Sequence, residues 1–174
     1  MGKLSNKNKS KEFILYNNIL FLSRNKLFYT KFDLIDTFQN RIHLIFIHIS
    51  FIFIKIKQNN KDQMYKIYYQ KMFDLIFNNI ESNMREIGYG DTTINKNMNF
   101  LTRTFYNVLI NCEKYKQMKA KAKNIFFNKY LEQNNIKNTT NNKGIIEYFN
   151  EYAAFCFDLS SDSVLKGELK FNYK

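Results

Sequence analysis

The amino-acid sequence predicts an all-α protein, a single helical domain of about six helices around a long, mostly buried central helix. Apolar side chains recur every three or four positions over most of the chain, which is the spacing of helices that pack on one face. Hydrophobic residues make up 45% of the sequence, enough apolar surface to offset the entropy lost on folding. At 174 residues the chain is long enough for one buried core, and neither an internal repeat nor a linker divides it.

The first helix is predicted over residues 13–26, where apolar residues and two asparagines recur at helical intervals. The preceding residues 1–12 are basic and are expected to be flexible, so the predicted domain covers residues 13–174. Residues 27–40 follow as a second, short helix or turn. Within them, Asp36 is placed to act as the N-cap of the next helix, because its carboxylate can accept hydrogen bonds from exposed amides.

Residues 37–57 combine two conflicting signals. Their many isoleucines and phenylalanines favour a strand by intrinsic preference, whereas His43, Ser50 and Lys57 stand seven residues apart and fall on one narrow seam of a helix. The regular seam decides for the helix, and we predict a long, mostly buried helix here. Its apolar run over residues 44–54 is well short of the roughly 20 residues that span a bilayer.

Residues 64–87 carry the clearest helical pattern, because their apolar side chains recur every three or four positions for roughly six turns. Gly88 follows at the point where a left-handed C-cap is needed. Gly90 then loosens the turn, and Asp91 or Thr92 is placed to cap the helix that comes next. This part of the sequence therefore predicts two helices joined by a short glycine-containing turn.

The helix after this joint presents an apolar face over residues 98–115, and we expect a helix to continue over residues 113–133. Its lysines predict one solvated basic surface on the outer side of that helix. The predicted surface consists of Lys114, Lys116, Lys119, Lys121 and Lys123. Residues 134–142, rich in Asn and Thr, are the best candidate for disorder, and a last long helix is predicted over residues 144–159.

The chain is strongly basic, with 27 Lys and Arg against 15 Asp and Glu and a net charge of +12. Such a charge favours RNA, a ribosome or an anionic membrane surface as a partner, and DNA is not expected. The sequence is also rich in Lys, Asn, Ile, Phe and Tyr, which have AT-rich codons, and contains no Pro or Trp. This composition is typical of proteins encoded by AT-rich genomes. Codon usage alone could account for much of the charge.

No set of side chains in the sequence predicts catalysis, a metal ion or a cofactor. His43 and His48 stand five residues apart and point about 140° apart on a helix, too far to share one metal ion. Cys112 and Cys156 both lie on apolar helix faces, where a thiol is inert, and their spacing favours neither a disulfide framework nor a zinc site. The segment IGYGD lacks the third glycine and the Lys of phosphate-binding loops. We therefore predict a protein that is not an enzyme.

The order and spacing of several short motifs resemble the ubiquinol-cytochrome c chaperone family over nearly the whole chain. REIGYGD, residues 85–91, is similar to the RExGxGD signature of that family, and the chain departs from the family pattern at Ile35, where relatives carry proline. The matching positions are Leu15, Tyr16, Phe28, Tyr29, Asp36, Thr37, Arg41, His48, Phe73, Asp74, Arg85, Glu86, Gly88, Gly90, Asp91, Lys96, Phe105, Tyr106, Asn124 to Phe126, Gly167, Leu169 and Phe171.

This resemblance implies an assembly chaperone that binds newly made cytochrome b, or the machinery that makes it, and assists assembly of the cytochrome bc1 complex. The implied partners are cytochrome b or another bc1 assembly factor, and a ribosome or an anionic membrane surface. The implied location is the bacterial cytoplasm beside the inner membrane, or the matrix side in mitochondria. Candidate residues for client binding or for holding the helical joint are Asp36, Thr37, Arg41, His48, Arg85, Glu86, Gly88, Gly90 and Asp91.

Alternatives remain open at this stage for both the joint and the function. Arg85, Glu86 and Asp91 form either a clamp that fixes the angle between two helices or part of a client-binding surface. As a clamp, they predict that Arg85→Ala or Gly88→Val destabilises the domain. A basic RNA- or ribosome-binding module is the alternative function, and an enclosed polar pocket around His48 would favour an enzyme.

Overall fold

The computed structural model describes residues 10–58, 63–134 and 142–173 of the chain. Within them, six helices have eleven residues or more, two α-helices are short, and there is no strand beyond one isolated bridge between Leu34 and Gln133. The helices are α1 (Lys11–Ser23), α2 (Leu27–Thr30), α3 (Phe38–Lys57), α4 (Gln63–Ile87), α5 (Asp91–Glu113), α6 (Ala120–Tyr130), α7 (Lys143–Asp158) and α8 (Ser161–Leu165), with a 3₁₀ turn at Tyr115–Gln117 between α5 and α6. The all-α prediction is confirmed.

Helix α3 is the central element, and α1, α4, α5, α7 and α8 all pack against it. Fifteen of its 20 residues are buried, which agrees with the prediction of a long, mostly buried helix. The two buried members of its polar seam find partners inside the protein: the Ser50 hydroxyl donates to the Phe46 carbonyl at 2.7 Å, and His43 donates from Nδ1 to the Tyr130 carbonyl. Burial is therefore possible on every side of this helix.

The start of α3 differs from the prediction in its capping residue. Thr37, not Asp36, is the N-cap, and its hydroxyl accepts a hydrogen bond from the Asn40 amide at 3.1 Å. The fully buried Asn40 side chain donates to the carbonyl oxygens of Ile35 and Glu132 and accepts from the Glu132 amide. These bonds hold the beginning of α3 against the segment that follows α6.

Helix α1 begins earlier than predicted, at Lys11, because the Ser10 hydroxyl accepts a hydrogen bond from the Phe13 amide and caps it. Residues 10–12 therefore belong to the folded domain, and the rest of the segment predicted to be flexible lies outside the described residues. Ile14 and Phe21 lie on the outer side of α1, with 42% and 77% of their surface exposed.

The predicted continuous helix over residues 113–133 is wrong. Helix α5 ends at Glu113, a 3₁₀ turn follows, and Met118 is extended before α6 starts. Lys116 and Lys123 consequently do not share one helical face. The Lys123 ammonium group lies 4.3 Å from the centre of the Tyr115 ring and donates to Asn150 at 2.7 Å, and Ile125 of α6 is 61% exposed.

The beginning of α7 is fixed by hydrogen bonds from Asn142, a residue of the loop predicted to be disordered. Asn142 is buried, and its amide group donates to the Asn124 carbonyl and to the Asn128 side chain. The disorder prediction for residues 135–141 falls outside the described residues. Helix α7 itself spans the predicted region and buries its apolar face, as expected.

The C-terminal segment closes the domain on α1. Helix α8 ends at Leu165, Gly167 follows with a φ of +75°, and the Glu168 amide donates to the Ser163 carbonyl in the pattern of a Schellman cap. The Gly167 carbonyl accepts from the Asn18 side chain of α1 at 2.8 Å. The two ends of the described chain are therefore packed together.

Candidate functional site

The joint between α4 and α5 has the left-handed glycine that the sequence predicts. Gly88 has a φ of +99°, the Tyr89 amide donates to the Met84 carbonyl, and the Gly88 amide donates to the Arg85 carbonyl. These are the two hydrogen bonds of a Schellman cap. The next helix is capped by Gly90 itself and begins at Asp91, so the prediction of Asp91 or Thr92 as the N-cap is wrong.

We expect Gly88→Ala to lower the free energy of unfolding by about 1 kcal/mol, because a side chain is strained at positive φ even where space is free. No atom lies within 4 Å of a Cβ built at this position, so the cost is confined to the backbone. Gly90→Ser is the matched control, since Gly90 has a φ of −72° and a serine can cap the helix. Equal losses for the two variants in chemical denaturation would show that the conformation of Gly88 is not the cause.

Two of the three charged residues of the joint, Arg85 and Asp91, pair as the clamp predicts, and the third, Glu86, does not take part. Arg85 donates from Nη1 to Asp91 across the joint at 2.5 Å, and from Nη2 to Glu81 of its own helix at 2.8 Å. Glu86 is not its partner. These hydrogen bonds raise the pKa of the Arg85 guanidinium, but Arg85 is half exposed and Asp91 is 80% exposed. Ion pairs this exposed contribute little to stability, so Arg85→Ala should lower the free energy of unfolding only slightly.

A second exposed ion pair lies at the beginning of α3. The Arg41 guanidinium donates two hydrogen bonds to the two carboxylate oxygens of Asp36, at 2.7 and 2.8 Å. This forked contact fixes the direction of the guanidinium and holds the pKa of Asp36 below its usual value. Asp36 therefore orients Arg41 instead of capping the helix.

Arg41 and Glu86 meet at one cleft of about 240 Å³ between the end of α1, the beginning of α3 and the end of α4. We call it the joint-end cleft. Its walls are mostly apolar and its charged groups are Arg24, Arg41 and Glu86. The apolar and aromatic lining residues are Tyr16, Leu20, Phe38, Ile42, Ile45, Ile80 and Ile87. The structure thus brings together two predicted site residues that are far apart in the sequence.

The joint-end cleft continues onto the outer surface of α1. A neighbouring depression of about 560 Å³ shares Leu20 and Arg24 with it and includes Phe21. Two large apolar side chains are exposed beside the cleft, Phe21 at 77% and Ile87 at 60%. Arg24 forms no ion pair with another residue of the described ranges. The result is an open apolar groove with a free positive charge on its edge.

His48 is not part of this groove. Its side chain is fully buried and packs against the rings of Phe28, Tyr148, Phe149 and Tyr152. Nδ1 must carry the proton, because its partner at 2.7 Å is the Leu44 carbonyl, and Nε2 then accepts from the Tyr148 hydroxyl at 2.8 Å. Burial lowers the pKa of His48 to about 4. The residue is a neutral, fully bonded part of the core, which removes the basis for an enzyme at this position.

The other groups considered for chemistry are also structural. Cys112 and Cys156 are free and buried, and burial raises the pKa of both thiols well above the usual range, so neither is activated as a nucleophile. His43 has both ring nitrogens bonded, to Tyr130 and to Gln39. Across the described ranges no group of three or more His, Cys, Asp or Glu side chains could hold a metal ion.

The predicted basic surface remains mostly exposed but is divided between structural elements. Lys114 follows the end of α5 as its C-cap, Lys116 lies in the 3₁₀ turn, Lys119 precedes α6, and Lys121 and Lys123 lie within α6. All except the half-buried Lys123 are exposed. The lysines therefore form a dispersed positive region and not the ordered face that was predicted.

None of the helices in the part of the chain that the model covers has the length and apolar character needed to cross a bilayer.

The sequence model of the family described as ubiquinol-cytochrome C chaperone matches residues 30–171 of this chain. Among solved structures, the chain is similar to the crystal structure of the Cbp3 homolog from Brucella abortus, with a TM-score of 0.79 and 20% sequence identity. The similarity covers 94% of this chain and 89% of that one, and at this identity it shows a shared fold. The search of curated proteins finds no match.

Proposed function

Because the chain belongs to the ubiquinol-cytochrome C chaperone family, we propose that it is a non-enzymatic assembly chaperone that binds newly made cytochrome b and assists assembly of the cytochrome bc1 complex. The family match over most of the chain is the observation that carries this proposal. The buried state of His48, Cys112 and Cys156 supports binding, rather than chemistry, as the mechanism.

The proposed client-binding surface is the joint-end cleft with its extension over α1. A chaperone for a hydrophobic client needs apolar surface that is exposed before the client arrives, and Phe21 and Ile87 provide it here. The depression and the cleft adjoin each other, and Leu20 and Arg24 line both. An extended or helical client segment can therefore lie along the groove and keep its apolar side chains from aggregating.

Charge gives the groove a preference for clients with an acidic group. Arg24 and Arg41 lie on its edge, and the Arg41 guanidinium is already held in place by Asp36, whereas Arg24 is free to pair with a client carboxylate. Guanidinium groups suit this role because they bind carboxylates through two parallel hydrogen bonds. Glu86, which also lines the cleft, disfavours a second acidic group beside it.

The further partners that we propose are another bc1 assembly factor and a negatively charged surface, either a ribosome or a membrane, contacted through the exposed lysines near α6. The proposed location is the bacterial cytoplasm beside the inner membrane, or the matrix side in a mitochondrion. Long-range attraction by dispersed lysines is weakened by salt, so this contact should be weaker at high ionic strength than at low.

The proposal is tested by deleting the protein and measuring assembled bc1 complex and haem-loaded cytochrome b. Both should fall, while the transcript and the other respiratory complexes stay near normal. Wild-type protein should restore bc1 content, whereas Phe21→Asp and Ile87→Asp should not. An apolar client would have to remove water from the introduced carboxylate, which weakens its binding. Both side chains are exposed, so neither change should unfold the domain.

Ile125→Asp is the matched control for these variants, because Ile125 is 61% exposed and lies on α6, away from the groove. It should restore bc1 content as wild type does. Normal bc1 content in the deletion strain would contradict the proposed function and leave RNA binding as the next function to test. Full restoration by Phe21→Asp and Ile87→Asp would contradict the location of the client site alone.

A further inference from the structure

A second apolar cleft opens at the opposite end of the α3–α4 pair. It lies between the end of α3, the beginning of α4 and the end of α5, and its volume is about 440 Å³. Phe53 of α3, which is 1% exposed, lines it together with Tyr65, Tyr69 and Tyr106. We call this site the tyrosine cleft. The three helices that line it, α3, α4 and α5, all pack against one another. The cleft is therefore formed by the tertiary structure of the domain.

The size of the tyrosine cleft favours a small ligand over a helix of another protein. Two turns of helix, about 10 Å across and 11 Å long, fill roughly 850 Å³, which is about twice the volume of the cleft. Pockets for small ligands are mostly apolar and hold roughly 300 to 1,000 Å³. A single hydrocarbon chain is narrow enough to lie between the tyrosine rings.

The polar groups of the cleft are gathered at its mouth. Lys57 pairs with Glu113 at 2.7 Å across the opening, and Lys66 is exposed and forms no ion pair with another described residue. Burial, together with nearby Tyr106 and Glu113, raises the pKa of Tyr69 to about 12, so its hydroxyl is a neutral donor at physiological pH. Tyrosines suit such a boundary, because the ring is apolar and the hydroxyl is polar.

We propose that the tyrosine cleft binds a single-chain anionic amphiphile of the medium-chain carboxylate class. The hydrocarbon chain lies over Phe53 between the tyrosine rings, and the carboxylate is at the mouth, beside Lys66. Glu113 repels the carboxylate, but its own pairing with Lys57 limits this effect. The site is separate from the joint-end cleft and does not depend on the proposed chaperone function.

The first test is to titrate the full-length protein with octanoate, decanoate and dodecanoate below their micelle-forming concentrations. Isothermal titration calorimetry measures the Kd of each. Each added methylene should tighten Kd about fourfold while the chain still fits the cleft. Decanol and decyltrimethylammonium, with the same chain length as decanoate, test the head group. Decanoate should bind more tightly than either, and decyltrimethylammonium should be the weakest.

Paired variants then locate the site. Lys66→Glu should weaken decanoate binding about three- to tenfold and leave decanol unchanged, whereas Lys121→Glu, at an exposed lysine outside the cleft, should change neither. Ile110→Trp should fill the mouth of the cleft and abolish binding of both. Ile110 is 52% exposed, so the domain should still fold, and Ile125→Trp is its control.

Three results would each overturn this inference. One is the absence of decanoate binding by the wild-type protein. Another is an affinity that does not change with chain length, which would indicate attraction of the carboxylate to surface lysines alone. The third is unchanged decanoate binding by Ile110→Trp, which would place the amphiphile elsewhere.

Discussion

Gly167→Ala should lower the free energy of unfolding by about 2 to 5 kcal/mol, a large effect for the addition of one methyl group. Gly167 has a φ of +75°, and a Cβ built there lies 2.8 Å from the Lys11 carbonyl oxygen and 3.0 Å from the Leu15 amide nitrogen. Both are backbone atoms of α1, which cannot move away without shifting the helix. The strain of positive φ adds to this clash. Urea denaturation followed by circular dichroism measures the change.

Gly88→Ala is the matched control for this prediction, because both glycines end a helix at positive φ but only Gly167 touches another helix. The difference between the two losses isolates the contact with α1. Similar losses at the two positions would contradict a close approach between Gly167 and α1. A folded Gly167→Ala variant should also have weaker protection of the α1 amides in hydrogen exchange, since the clash displaces that helix.

The second large effect concerns pH and His48. The pKa of His48 is about 4 in the folded protein and about 6.5 in an unfolded chain, so the unfolded state binds the proton more tightly. Stability from this residue is therefore complete above pH 6.5 and is lost as pH falls towards 4. The loss amounts to about 3 kcal/mol over that window, measured as the free energy of unfolding in urea at a series of pH values.

His48→Gln is the variant that isolates this effect, since glutamine does not titrate. It should be less stable than wild type at pH 7, because the packing with Tyr148 and Tyr152 is disturbed, but its stability should fall less between pH 6.5 and 4. Burial also lowers the pKa of His43, so the stability of the His48→Gln variant should still depend on pH to some extent. Equal slopes for wild type and variant would show that His48 is not the group that titrates.

Much of the fold could be predicted because its signals are local. The spacing of apolar residues defined α4, α5 and α7, the polar seam of His43, Ser50 and Lys57 defined α3, and Gly88 marked the end of α4 as a left-handed cap. The family predicted from ordered motifs is confirmed by the match over residues 30–171. The helix patterns and the glycine cap depend on residues close together in the sequence, and the family depends on the order of motifs along the chain, so one sequence is sufficient to find them.

The break between α5 and α6 could not be predicted in the same way. Residues 113–123 contain neither glycine nor proline, and their composition favours a helix. The chain turns because Tyr115 is buried and packs against the rings of Phe51, Phe126 and Phe127. The contact between Phe51 and Tyr115 joins residues far apart in the sequence. Helix propensity depends only on neighbouring residues and therefore cannot predict this turn.

In the candidate site, too, the local contacts could be predicted from the sequence and the tertiary ones could not. Arg85 and Asp91 are six residues apart, and their contact across the joint could be predicted from the turn between them. Arg24 and Phe21 were not identified, because the joint-end cleft forms only when α1, α3 and α4 meet. The sequence shows only that an arginine and a phenylalanine lie on the outer side of a predicted helix. Such residues are common on protein surfaces and do not by themselves indicate a binding site.

The burial of α3 also has a consequence for how the protein is made. A ribosome releases the chain from its N-terminus, so of the described helices that pack on α3 only α1 precedes it, and α8 follows much later at residues 161–165. An isolated apolar helix of this kind is prone to aggregate. We expect nascent chains that stop before α7 to be recovered in the insoluble fraction or bound to cellular holdases. Until α8 has been made, α3 lacks part of the surface that shields its apolar side chains from water.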